Sequence, residues 1–491
     1  MSDSRVLLDR ITAFRQRLEG TPPLLPVTPA DDSPPALAAT AAALADRPAL
    51  LNRSLRALTS AGVADGPVPL RLTARARLLL EQARGLVGVQ RELASDPLVA
   101  GLCLAAELSP DGVADPLAVY HRETVALTEA ALRMAQLFPE SAEVQGRMCD
   151  GLEAMLRAVR DRLGVAQTAV VAKRKTVERL DGLSRHLAEI AAGKQVDLGW
   201  FARLSEQLLE EARAAGPLQV LTADPQATAG LPGSDPTPAP ARFVAAHALT
   251  VAQVVARVVG QDFEWAGRPM VPVMTALLMD VGMVKVPGAV LANRGELSAE
   301  DRRLIDRHPS VGAGLIYTLA PDAAVVAEAV AAHHERPDGT GYPNAIRGDD
   351  VPTLARLLAV CDQYAACIAD RPHRPAHDPR TALTDCLMAA EQGKLDRDFS
   401  EYLLALSYHP VGTVVELADG RVGVVVATHT NRADLRAGGR PVVAVLTDRR
   451  GQVLPRPEVV DLLAADRGSV ARVPSTAERT RLLARDYPDL C

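Results

Sequence analysis

The sequence predicts a mostly α protein, with a helical N-terminal region, an all-α helix bundle and a small C-terminal β-module. Three observations predict it. Aromatic residues make up 3% of the chain while hydrophobic residues reach 48%, and abundant Ala and Leu favour helix packing over a large sandwich or barrel. Apolar residues recur at steps of three and four up to about Ser407. After His409 the pattern changes to Val-rich runs separated by Asp419-Gly420 and Arg450-Gly451, which read as strands and turns. At 491 residues the chain exceeds the roughly 250 at which single cores stop growing, so two to four folded units are expected.

Taken in order, residues 1–20 form a short amphipathic helix, because Leu7, Ile11, Phe14 and Leu18 share a face and Gly20 ends the pattern. Residues 21–35 are Pro-rich and read as a linker. A helical region follows over 36–221, interrupted by the turn signals Asp65-Gly66-Pro67 and Ser109-Pro110-Asp111-Gly112. Within it, 152–190 carries a heptad seam of Leu152, Leu156, Val159, Leu163, Ala166, Val170, Val177, Leu180 and Leu187, with Lys173 and Ser184 filling the gaps. Two readings stay open: a coiled coil pairing two subunits as a homodimer, or packing within one chain. Gly151, Gly164 and Gly182 argue against one long helix. Small and turn-forming residues mark 222–240 as an interdomain linker, 241–408 is the helix bundle, 409–463 the β-module, and 464–491 a peripheral helix or tail.

A formal net charge of -6 provides no positive field for a polyanion, so duplex nucleic acid is not an expected partner. The basic cluster Lys173-Arg174-Lys175 reads as a solvated helix face. Six cysteines (Cys103, Cys149, Cys361, Cys367, Cys386, Cys491) show no CxxC spacing, which fits reduced thiols in the cytoplasm. Asp3, Arg5, Asp9 and Arg10 interrupt what a signal peptide would need as an apolar core, and no charge-free stretch of membrane-spanning length follows.

The chemistry begins after the 222–240 linker. Divalent transition metals take imidazole nitrogen and carboxylate oxygen, and a bundle aims such ligands inward from several helices. His247, Asp280, His308, the pair His333-His334 and Asp362 lie on five successive helical stretches. Adjacent histidines diverge by about a quarter turn, so both face one metal only where a helix ends. Glu335-Arg336-Pro337-Asp338-Gly339 supplies such an end.

His333-His334-Glu335 followed by Asp338-Gly339-Thr340-Gly341-Tyr342-Pro343 resembles the HHE and DGxGYP signature of HD-GYP domains. Asp280-Val281-Gly282 with Val286-Pro287 resembles the family's HD-x-G-K-x-x-VP segment, His308-Pro309 with Gly312 its H-P-x-x-G, and Asp370-Arg371-Pro372-His373-Arg374 its D-R-P-Y-R. Some 170 residues are covered. The resemblance implies an HD-type helix bundle that hydrolyses cyclic di-GMP to pGpG or GMP, in a signalling protein of bacterial kind. It implies iron or manganese as cofactor, one or two ions per chain. One ion would use His247, Asp280 and Asp362; the other Asp280, His308, His333 and His334, with Asp280 bridging as a catalytic residue.

Arg371 and Arg374 are implied to contact phosphate or guanine, and Gly341 and Tyr342 to shape the site wall or a loop that docks a signalling protein. The chain departs from the pattern at three points. Met279 replaces the histidine of the His-Asp pair, and a soft thioether is a poor ligand for iron or manganese. Met283 stands in place of the usual lysine, leaving Lys285 as the candidate to reach the same phosphate. Phe243 occupies the position of a third-metal glutamate, so a trinuclear centre is not expected. A catalytically inactive module that binds nucleotide or a signalling partner is the alternative.

Overall fold

A computed structural model describes residues 72–100, 102, 116–136, 142–214, 218–223, 239–371, 374–406, 408–429, 439–464 and 468–483. The expected helix at 1–20, the linker at 21–35, both interrupting turns of the N-terminal region and most of the 222–240 linker lie outside these residues.

Three helices open the described chain: α1 (Ala74–Ser95), α2 (Pro116–Gln136) and α3 (Ala142–Ala191). Thr73 begins α1 by accepting a hydrogen bond from the Ala76 amide, which satisfies one of the unpaired donors of the first turn. Against the expectation from Gly151, Gly164 and Gly182, α3 runs unbroken for 50 residues, about 75 Å. Burial of its apolar stripe outweighs the roughly 1 kcal/mol that each interior glycine costs. At Gly182 the small residue has a use, since a Cβ there would collide with the indole of Trp200.

The seam residues of α3 divide between two cores. Leu152, Leu156, Val159, Leu163, Ala166 and Val170 are buried with α1 and α2, whereas Leu180 and Leu187 are buried in a second core with apolar residues drawn from between Phe201 and Leu406. Between them Val171 is 65% exposed. The heptad face is therefore covered within the chain along both halves, and the helix is a spine shared by two bodies. In the first body Arg162 is buried, donates to the Thr124 hydroxyl at 3.0 Å and lies 4.0 Å over the Tyr120 ring, which ties α3 to α2.

The second body is a helix bundle: α4 (Leu198–Arg213), α5 (Ala239–Val258), α6 (Met270–Leu278), α7 (Ala299–Asp306), α8 (His308–Leu319), α9 (Ala324–Ala332), α10 (Thr353–Ile368), α11 (Pro379–Glu391) and α12 (Arg397–Tyr402). The expected boundary near residue 240 cuts through its core, because α4 and the C-terminal half of α3 belong to it. The stretch 239–261 is long and apolar enough to cross a membrane by composition, yet 78% of its apolar window is buried inside the protein as the bundle's central helix. Starts are set by side chains: Asp197, Ser298, Asp378 and Asp396 each accept from an amide of the first turn they cap.

A five-stranded antiparallel sheet follows, in the order β4-β3-β2-β1-β5, with β1 (Val414–Leu417), β2 (Val422–Ala427), β3 (Val442–Thr447), β4 (Val453–Asp461) and β5 (Val470–Arg472). Gly420 and Gly451, both at positive φ, lie in the β1–β2 and β3–β4 hairpin turns. Alternation sorts the valines: Val414, Val422, Val424, Val426, Ala444 and Leu446 pack on α1–α3, while Val415, Val425, Val443 and Val445 form a small core on the opposite face. The sheet is thus no detached module, since it closes the first body. Of the stretch expected as a peripheral helix or tail, the described residues 468–483 hold β5, which completes the sheet, and α13 (Thr476–Leu483), whose Leu483 is buried in the same core.

Candidate metal centre

Five elements bring the donors together. His247 comes from the middle of α5 and Asp362 from the middle of α10, where apolar neighbours fix the helices against each other. Asp280 sits between the end of α6 and a 3-10 turn (Val281–Lys285), with φ -94° and ψ 12°, the sparsely populated bridge region often used by active-site residues. His308 opens α8 with Pro309 behind it, and α9 stops at Ala332 so that His333 and His334 lie on the turn that follows. Glycines allow the approach. A Cβ on Gly282 would collide with the His308 carbonyl oxygen, and one on Gly312 would press on the Val330 side chain at 3.1 Å. The first of these approaches seats α8 against the turn that carries Asp280.

Two donor groups result, each with ligand atoms within 4.8 Å of one another: Asp280, His308, His333 and His334, and His247, Asp280 and Asp362. Asp280 is common to both. Its Oδ1 lies 3.2 Å from His308 Nε2 and 3.4 Å from His333 Nε2, and its Oδ2 lies 3.9 Å from His247 Nε2. His247 Nε2 is 2.7 Å from Asp362 Oδ1.

The donor set fits a cation. His308 Nδ1 lies 2.6 Å from the Ile305 carbonyl oxygen, and His333 Nδ1 lies 2.7 Å from that of Val330. A carbonyl can only accept, so both Nδ1 atoms carry hydrogen, which leaves each Nε2 to offer a lone pair to a cation when the ring is neutral or to donate to Asp280 when it is protonated. Those Nε2 atoms face each other at 3.2 Å, a closeness that either a shared proton or a cation satisfies. Anchoring the far nitrogen in this way is how proteins orient imidazole ligands. A divalent transition metal suits such nitrogen and oxygen donors, which include no sulfur.

Electrostatics agree. Burial pushes the Asp280 carboxyl up, but hydrogen bonds and charge from His308 and His333 hold it well below the usual carboxylate range. Burial likewise opposes ionisation of Asp362, and the adjoining His247 overcomes it. Burial and the neighbouring His333 push His334 well below the ordinary imidazole value, keeping it neutral as a ligand must be.

The ligands open into a cleft of about 280 Å³ lined also by Phe243, Met283, Arg336, Tyr342, Asp370 and Arg371. The Tyr342 ring stacks on His334 with centroids 4.7 Å apart. Glu335, almost fully buried, holds the following loop: its carboxylate accepts from the amides of Asn344 at 2.7 Å and Ile346 at 3.0 Å. Gly341 passes so close to the 334–336 backbone that any Cβ would strike it. Gly339 adopts φ +76°, where glycine is unstrained.

Three expected residues stand elsewhere. Lys285 is exposed and does not line the cleft, whereas Met283 does. Arg374 is spent on the end of α10, donating to the carbonyls of Ala366 at 2.8 Å and Cys367 at 3.3 Å, because helix C-terminal carbonyls lack intrahelical donors. Gly341 shapes the loop backbone and is not itself on the cleft wall. Met279 is wholly buried in the hydrophobic core. Sequence reading missed the segment 218–223. It runs along α5, with amides of Gln219 and Leu221 donating to Gln253 and Thr250, and places Leu221, Thr222 and Ala223 on the cleft wall.

Residues 240–399 match the family profile described as HD domain. A cyclic di-GMP phosphodiesterase of Pseudomonas aeruginosa is 35% identical over 190 residues, 38% of this chain and 44% of that protein. The cyclic di-GMP phosphodiesterase response regulator RpfG of Xanthomonas campestris is 34% identical over 25% of this chain and 32% of its own. A 3'3'-cGAMP-specific phosphodiesterase of Vibrio cholerae is 36% identical over 21% of this chain and 22% of its own. The chain therefore spans less than half the length of each of these relatives. With the histidine and carboxylate cluster and the HHE and DGTGYP residues at its rim, the stretch 240–399 is an HD domain of the HD-GYP kind.

Proposed function

We propose that this chain is a metal-dependent phosphodiesterase that opens cyclic di-GMP to pGpG or GMP, slowed by the loss of one ligand at Met279. The observation that carries the reading is Asp280, one carboxylate shared by two groups of donors at the floor of a cleft. The names of the relatives support the substrate class. Bound ions of the manganese or iron type would lower the pKa of a water and offset the negative charge that develops on phosphorus.

The chain's own residues do the positioning. Asp280, His308, His333 and His334 would hold one ion, and His247, Asp280 and Asp362 the other. Arg371 on the cleft wall offers a guanidinium fork to the phosphodiester, while Arg374 supports the loop beneath it. Tyr342, stacked on His334, walls the cleft and keeps that imidazole in place. The four buried thiols Cys149, Cys361, Cys367 and Cys386 are free, which suits a reducing, cytoplasmic setting.

A second reading rests on Met279. Its thioether lies in the core and the three-donor group lacks a fourth protein ligand, so a module that keeps one ion and binds nucleotide or a signalling partner remains a defined alternative. Thr340 and Pro343 of the GYP loop are exposed and would be the docking surface. Hydrolysis of labelled cyclic di-GMP by manganese- or iron-loaded protein separates the readings, with 3'3'-cGAMP run in parallel. Linear product is expected. Bound nucleotide without turnover would overturn the first reading in favour of the second.

A further inference from the structure

A third group of metal donors lies outside the cleft. Cys367, His377 and Asp385 place one ligand atom each within 4.8 Å of one another. They come from the last turn of α10, the end of the following loop and the middle of α11. The backbone assembles them: the His377 amide donates to the Cys367 carbonyl at 2.9 Å, and Asp378 caps α11 by accepting from the amides of Arg380 and Thr381. That cap fixes the helix on which Asp385 rides, and His377 Nδ1 then lies 3.0 Å from Asp385 Oδ2.

We propose that Cys367, His377 and Asp385 form a second, chemically distinct metal site that takes a borderline-soft divalent cation of the zinc class. Thiolate, imidazole and carboxylate are the three ligand types zinc accepts, and three protein ligands leave the fourth tetrahedral position to water. The main centre has only nitrogen and oxygen donors, so sulfur makes the two sites discriminate between cations. Cys367 is buried, whereas His377 and Asp385 are partly open, which gives an ion a path in.

The location gives the site a consequence. The loop between Cys367 and His377 carries Asp370 and Arg371 to the cleft wall, and Arg374 holds its near end by donating to the Ala366 and Cys367 carbonyls. A cation gripping Cys367, His377 and Asp385 would pin both ends of that loop and so hold Arg371 in place. The alternative is an ordinary His377-Asp385 surface ion pair beside a core thiol.

Cobalt(II) alone, added to the chelator-stripped full chain, tests the site, because a thiolate-to-cobalt charge-transfer band cannot arise from the sulfur-free main centre. The band is expected in the unaltered protein, and in a His308→Ala/His333→Ala variant that disables the main centre. It should vanish in Cys367→Ser, and Asp385→Asn should weaken cobalt binding at least about tenfold. Zinc should displace the cobalt. Absence of the band in the unaltered chain, or its persistence in Cys367→Ser, would overturn the proposal.

Discussion

The two halves of the metal centre share Asp280 and differ in almost everything else. One half has four protein donors, with two imidazoles braced from behind by the carbonyls of Ile305 and Val330. The other has three, His247, Asp280 and Asp362, and stands next to a position where Met279 has turned into the core. The difference teaches that a donor cluster survives the loss of one ligand when neighbouring helices hold the rest. Helices α5 and α10 meet through their own apolar faces, so His247 and Asp362 lie 2.7 Å apart with methionine at position 279.

The largest expected effect is at the shared residue. Asp280→Asn removes the negative charge common to both halves and one of the two oxygens that serve them, and losing the several kcal/mol of charge stabilisation that metals supply should lower turnover of cyclic di-GMP at least about a thousandfold. Steady-state turnover with metal content measured on the same sample checks it. If metal content stays intact, the bridging role is wrong.

Single-sided changes sharpen the contrast. His333→Ala should weaken the tighter manganese site by about a hundredfold and leave the weaker one measurable, while His247→Ala should do the converse; isothermal titration resolves the two. Equal effects of both variants on both sites would erase the distinction drawn between the halves.

Met279→His tests the depleted half directly. A fourth donor should tighten its ion about tenfold and raise turnover, at a stability cost of roughly 1–3 kcal/mol if the imidazole is left without a partner in the core. Thermal melts with and without manganese give both numbers. Unchanged turnover together with unchanged affinity would show that position 279 does not limit the site.

The smallest effect belongs to Glu335→Gln, which leaves one accepting oxygen where two now accept from the amides of Asn344 and Ile346 and hold the loop after the histidine pair. It should cost about 1–3 kcal/mol of local stability, read as faster amide exchange at Asn344 and Ile346, with metal stoichiometry unchanged. Exchange rates equal to those of the unaltered chain would remove Glu335 as the loop's anchor.

Much of this centre was legible in the sequence, and for a physical reason. Histidine and aspartate at helix ends and on apolar helix faces are costly to bury, so their recurrence on five elements pointed to one charged pocket. Expectations at Lys285 and Arg374 rested on position in a motif, and geometry decides such cases: a shift of two residues from Met283 leaves Lys285 exposed, and unpaired carbonyls at the end of α10 capture Arg374. Domain boundaries were harder still. Nothing in a continuous heptad seam marks where α3 leaves one core and enters another, because both partners ask for the same apolar spacing. The sheet was readable as valine runs and turns. Its docking on α1–α3, hundreds of residues earlier in the chain, was not, since alternation shows that two faces are covered but not by what.

Manganese titrated into the metal-stripped chain and into Asp280→Asn tests the central claim most directly. Two classes of site, one distinctly tighter, both lost or severely weakened in the variant, are the predicted result. An isotherm that the substitution leaves unchanged would contradict the claim that one carboxylate joins the two halves.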